Sequence, residues 1–175
     1  PRIDHAYAGE VVLEAAGKDA DVAIARCAEG LAALAKALDW KELTFIGDFA
    51  VPLVPVNSDH TTARSARGRL ASRGIDTSFR NAIVVTADDI GAIARDLLTV
   101  VRYEGAAPDM RFQGAGAACV GTLCKYANLH LDIYGMAELP RIMAAIDRAG
   151  LKIALDGCRE RFSDGGRIAG RRIDV

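Results

Sequence analysis

The chain has 175 residues, of which 51% are apolar and 26% charged, and its 22 basic and 23 acidic side chains leave a formal charge of −1. That composition excludes a disordered chain and a general polyanion binder, and the length fits a single compact domain, 1–175. No apolar run reaches the roughly 18–20 residues of a membrane span and no secretory pattern opens the chain, so a soluble cytoplasmic protein is expected.

The opening "PRIDHAYAG" places a proline first. A secondary amine there can act as a base, as in the tautomerase superfamily. The segment departs from that family's apolar opening at Arg2, Asp4 and His5, so Pro1 is read as ordinary. "GEVVLEA" then reads as a strand, and Asp19–Asp39 as a helix, because Ile24, Cys27, Leu31, Leu34 and Leu38 recur at steps of three and four. "ELTFIGDF" returns to strand composition.

The segment that follows is unlike the rest. "FAVPLVPV" carries two prolines, which lack a ladder donor, and reads as a buried extended connection. It delivers the chain to "NSDHTTARSARGRLASRG", where Asp59–Arg80 holds five arginines against two aspartates. Ser58 or Asp59 is expected to cap a helix over His60–Arg73. On it His60, Arg64 and Arg67 fall within about 60° of one another, with Arg69 and Arg73 on the other side. A helix start flanked by arginines suits a carboxylate or phosphate, with His60 placed to move a proton. Thr61 and Thr62 add hydroxyl contacts. The plainer reading is a solvated surface helix salt-bridged to a neighbour.

"NAIVVTADDI" predicts a buried strand over Ala82–Val85 and a helix capped at Thr86. Ile90, Ile93, Ala94, Leu97, Leu98 and Val101 form its core face. Met110–Gln113 reads as a weak return strand. In "RFQGAGAACVGTLCKY" neither a dinucleotide fingerprint nor a P-loop is present, so Gly114, Gly116 and Gly121 are read as packing glycines. "NLHLDIYG" predicts a strand with Asn128, His130 and Asp132 on one face; that face lines a cleft or meets water. A helix follows over Glu138–Ala149, with Pro140 near its start and Gly150 past its end. "LKIALDG" is a further strand, and the tail reads as a hairpin turning at Asp164-Gly165-Gly166.

The cysteines Cys27, Cys119, Cys124 and Cys158 form no C-x-x-C pair and no standard zinc spacing with His130. They are read as reduced thiols, with no metal and no cofactor; spacing does not say whether Cys119 or Cys124 is reactive. Three β-α-β rhythms and a terminal hairpin give an α+β or α/β fold, a mixed sheet with helices on one face, with tandem ferredoxin-like units as the specific form. The functional expectation is a small-molecule enzyme acting on an anionic metabolite by proton transfer, of isomerase, lyase or hydrolase type. His60, Asp59 and Asp132 are its acid-base residues; Arg64, Arg67, Thr61, Thr62 and His130 hold substrate. A homo-oligomer is expected. The alternatives are a non-catalytic assembly or ligand-binding protein and, last, an RNA-binding protein, which the few aromatics disfavour.

Overall fold

A computed structural model describes residues 6–162. Its elements run in the order β1 (Tyr7–Glu14), α1 (Ala20–Ala37), β2 (Glu42–Ile46), α2 (Thr61–Ala71), β3 (Ile83–Thr86), α3 (Ile90–Tyr103), β4 (Met110–Gly114), β5 (Cys119–Cys124), β6 (Asn128–Tyr134), a 3-10 turn (Met136–Glu138), α4 (Leu139–Arg148) and β7 (Lys152–Ile153). The expected hairpin at Asp164–Gly166 lies outside the described residues, as does Pro1.

The strands make one seven-stranded sheet in the order β3-β2-β4-β5-β6-β1-β7. The fold is α+β, and the ladders are antiparallel throughout, not mixed. The β-α-β rhythm is real along the chain, but three of the four helical connections skip strands, and only α2 joins neighbours, β2 and β3. The α3 connection straddles β2, the α4 connection straddles β1, and the α1 connection passes three strands. The units differ in offset, so the strand order lends no support to a ferredoxin-like tandem.

Alternation along each strand sends one set of side chains beneath the helices. Leu43, Phe45, Met110, Phe112, Leu123, Leu129, Leu131 and Ile133 form the floor of the core. The helices lie side by side across it as α2-α3-α1-α4. Asp19 caps α1, its carboxylate accepting from the Val22 amide at 2.8 Å, and the stripe Ile24, Cys27, Leu31 and Leu34 is buried. Helix α3, with α1 and α2 on its two flanks, buries nearly every side, including Asp96, Thr99 and Arg102. Its cap is Asp89, three residues after the expected Thr86, because Thr86 still pairs with Glu42 in the sheet and the chain turns before Ile90.

The glycines of the fourth and fifth strands are places of close approach. A Cβ on Gly121 would sit 1.9 Å from the Phe112 ring, and one on Gly114 would sit 2.4 Å from Trp40. Both aromatics need that missing atom to lie flat on the sheet.

Among the described residues, no helix covers the other sheet face. Glu10 and Val12 of β1, His130 and Asp132 of β6, Thr122 and Cys124 of β5, and Arg111 and Gln113 of β4 belong to it, by parity with their buried neighbours. Residues 154–162 fold over one end of the face, covering Asn128 completely.

Candidate metal centre

Helix α2 answers why the arginines stand where they do. Ala63, Ala66 and Leu70 are its buried stripe, packed against α3, and the arginines are its shoulders. Arg67 pairs with the fully buried carboxylate of Glu104 just past the end of α3. Arg69 forks onto Asp96, with contacts of 2.9 and 2.6 Å, and Arg73 reaches Asp89 at 2.8 Å. The start of α2 therefore lies at the end of α3 and its end at the start of α3. Three cation–carboxylate pairs fix this antiparallel docking, within the chain and not across a subunit boundary.

The predicted anion site is reduced by the same contacts. The Asn57 amide donates to Glu104 at 2.9 Å and Arg67 donates to the Ser58 carbonyl, which turns Ser58 and Asp59 away from the helix axis. His60 becomes the N-cap residue instead, with no side-chain cap bond. Its ring stacks on Tyr103, with centroids 4.0 Å apart and planes 7° apart. Tyr103 in turn donates to Asp21 at 2.9 Å. Arg64 stays in water, 3.8 Å from the exposed Asp59 carboxylate; Thr61 is exposed and Thr62 half-buried. Asp59 and Glu104 face Arg64 and Arg67 at this corner, and Asp21 takes the Tyr103 hydroxyl. The sequence offered no sign that Tyr103 and Glu104 would complete it. A cleft of 320 Å³ between the end of α1, the β4–β5 turn and α4 contains none of the predicted site residues.

His130 and Asp132 lie on the open sheet face, across the sheet from the helix layer that holds His60. What His130 meets there is sulfur. In the β5–β6 hairpin Cys124 pairs with Asn128 and Thr122 with His130, so Cys124 and His130 are diagonal neighbours on one face. The segment beyond β7 brings in Cys158, whose sulfur lies 3.2 Å from that of Cys124. A ring nitrogen of His130 and both sulfurs lie within 4.8 Å of one another, and all three residues are half-buried. Tetrahedral zinc, with its bonds of about 2.3 Å to sulfur and 2.0–2.1 Å to nitrogen, holds donors about 3.5–3.8 Å apart. The three side chains already bracket that spacing.

The imidazole has a carboxylate partner. Glu10 Oε1 lies 2.6 Å from His130 Nδ1. In the neutral ring, an Nδ1 proton donated to that carboxylate leaves the Nε2 lone pair for a metal. Glu14 stands nearby with Arg161, and Asp132 on the same face. Burial, with the second thiol beside it, pushes the Cys124 thiol above its ordinary value. Cys27 and Cys119 are pushed up to about 11 by burial alone as the leading cause, and neither has a sulfur neighbour among the described residues.

The elements explain why sequence spacing missed this set. Cys124 and His130 are joined by hairpin register, which the run "CKYANLH" encodes, whereas Cys158 arrives from 34 residues away by tertiary folding. Cys119, the other cysteine of the glycine-rich stretch, points into the core. No helix among the described residues is long and apolar enough to cross a membrane. No protein-family model, curated protein or solved structure matches this chain.

Proposed function

We propose that this protein binds a zinc-class metal ion through Cys124, His130 and Cys158. The carrying observation is the convergence of two thiols and one imidazole from three chain segments within 4.8 Å, with Glu10 on the imidazole. Thiolate and imidazole are the donors that select zinc over the oxygen-seeking calcium and magnesium. Two thiolates neutralise the charge of a divalent ion, and Glu10 orients the imidazole.

Three protein ligands leave one tetrahedral position, the count found at catalytic zinc. That vacancy is where an anionic small molecule would bind, so hydrolytic or lyase chemistry is the form of the expected enzyme that this centre supports. The expected anion partner moves with it, from the start of α2 to the metal.

The test is cobalt substitution of the reduced, full-length protein. One equivalent of Co²⁺ should give a sulfur-to-cobalt charge-transfer band and the strong visible absorption of a tetrahedral site. His130→Ala and Cys158→Ser should each weaken binding at least tenfold. A wild type that binds no better than either variant overturns the proposal.

A further inference from the structure

We infer that Cys124 and Cys158 are also a reversible redox pair, whose disulfide excludes the metal. The inference rests on the metal reading only for its second half. The pairing itself rests on geometry.

The two sulfurs are already 3.2 Å apart. A disulfide needs about 2.05 Å, so closure asks for about 1 Å of movement. Cys124 is fixed in β5, but Cys158 sits on a segment without regular structure, one residue after Gly157, whose φ of +74° turns the chain there. That segment can supply the movement. It is tied down on the far side of Cys158 by Arg161, which donates to the Ala15 and Ala127 carbonyls and to Asn128 Oδ1.

Selectivity follows from burial. Cys27 and Cys119 are at most 1% exposed and lie in the core, and Cys27 donates to the Ala127 carbonyl at 3.0 Å. Cys124 and Cys158 are half-buried, within reach of a small oxidant.

A small disulfide such as oxidised glutathione serves as oxidant. One cysteine sulfur attacks it, forming a mixed disulfide and expelling one glutathione thiol. The second cysteine sulfur attacks the protein sulfur of that bond, forming the Cys124–Cys158 bond and expelling the other. Two protein thiols lose two electrons and two protons; one small disulfide becomes two thiols. Both sulfur ligands are then in the bond, and His130 alone cannot hold the ion.

The experiment uses metal-free full-length protein in oxidised glutathione. Thiols titrated after denaturation should fall from four to two, and digestion should yield one peptide pair joined through Cys124 and Cys158. Oxidised protein should give no cobalt band until a dithiol reductant restores it. Zinc-loaded protein should oxidise at least tenfold more slowly, because the ion occupies both sulfurs. In Cys158→Ser, and independently in Cys124→Ser, no internal disulfide should form.

A thiol count that stays at four, or a crosslink through Cys27 or Cys119, overturns the redox pair. If cobalt binds the reduced protein in that case, the metal proposal stands alone. If the Cys124–Cys158 bond forms but reduced protein never binds cobalt, the metal reading falls, and metal exclusion with it.

Discussion

Two polar clusters of this protein differ in how they are spent. At the start of α2 the residues are neighbours in sequence, and the fold turns them inward. Arg67 closes on Glu104, His60 lies flat on Tyr103, and the Asn57 amide and Ser58 carbonyl join the same knot. On the open sheet face, Cys124 and His130 of one hairpin meet Cys158 from a distant segment, with their donor atoms within 4.8 Å of one another. A dense polar run in sequence can be docking hardware, because charged side chains close to a helix–helix seam are cheapest to satisfy there. Soft donors that converge on one point are the better sign of a ligand.

That contrast can be broken most forcefully at Glu104. Glu104→Ala leaves the Arg67 guanidinium, only 12% exposed, without its carboxylate. Breaking one side of such a pair costs about 3–5 kcal/mol, so the urea midpoint should fall steeply. Arg67→Met combined with Glu104→Leu should recover most of the loss, because the cost lies in the orphaned charge. A small effect of the single substitution would mean that the knot is not what holds α2.

The metal centre should respond to a different hand. Zinc held at about 100 times its dissociation constant adds about 2.7 kcal/mol to stability by linkage. The gain should appear in wild type and in Glu104→Ala alike, read as a thermal shift, and fall to about 1.4 kcal/mol or less in Cys158→Ser. Loss of the gain in Glu104→Ala would join the two clusters that the fold keeps on opposite faces of the sheet.

A smaller effect separates the knot by pH. Burial first, and then the bond to Asp21, push the Tyr103 phenol up to about 12. An unfolded phenol titrates near about 10, so the folded state holds this proton more tightly. Its contribution is whole below about pH 10 and is lost as pH rises toward 12. Tyr103→Phe should cost less than about 1 kcal/mol, since the half-exposed bond is screened, and should lose stability less steeply above pH 10 than wild type. Parallel pH curves for the two proteins would remove Tyr103 from the knot. The smallest change is expected at Arg64, whose side chain is 64% exposed: Arg64→Ala should shift stability by no more than about 0.5 kcal/mol and leave cobalt binding untouched.

The periodicity of apolar residues carried much of the fold. The α1 stripe from Ile24 to Leu34 and the α3 face from Ile90 to Leu98 are buried as their spacing demands, and Pro140 and Gly150 bound α4. Burial against a flat layer imposes a repeat on the chain itself, so such elements can be read one at a time. The glycines under Phe112 and Trp40 were likewise legible as places of close approach, although not which ring would lie on each.

Tertiary structure alone decided the rest. Strand order was open because a helical connection can return the chain to several places: here α1, α3 and α4 skip strands, and α2 joins neighbours. Partner choice was open because an arginine in sequence looks the same whether it faces water or Glu104. Cys124 and His130 could have been paired from a hairpin register, but Cys158 could not: its place beside them depends on how residues 154–162 cross the end of the sheet. Local pattern records what each segment buries; it holds no record of which distant donor comes to rest beside it, and a metal centre is made of such arrivals.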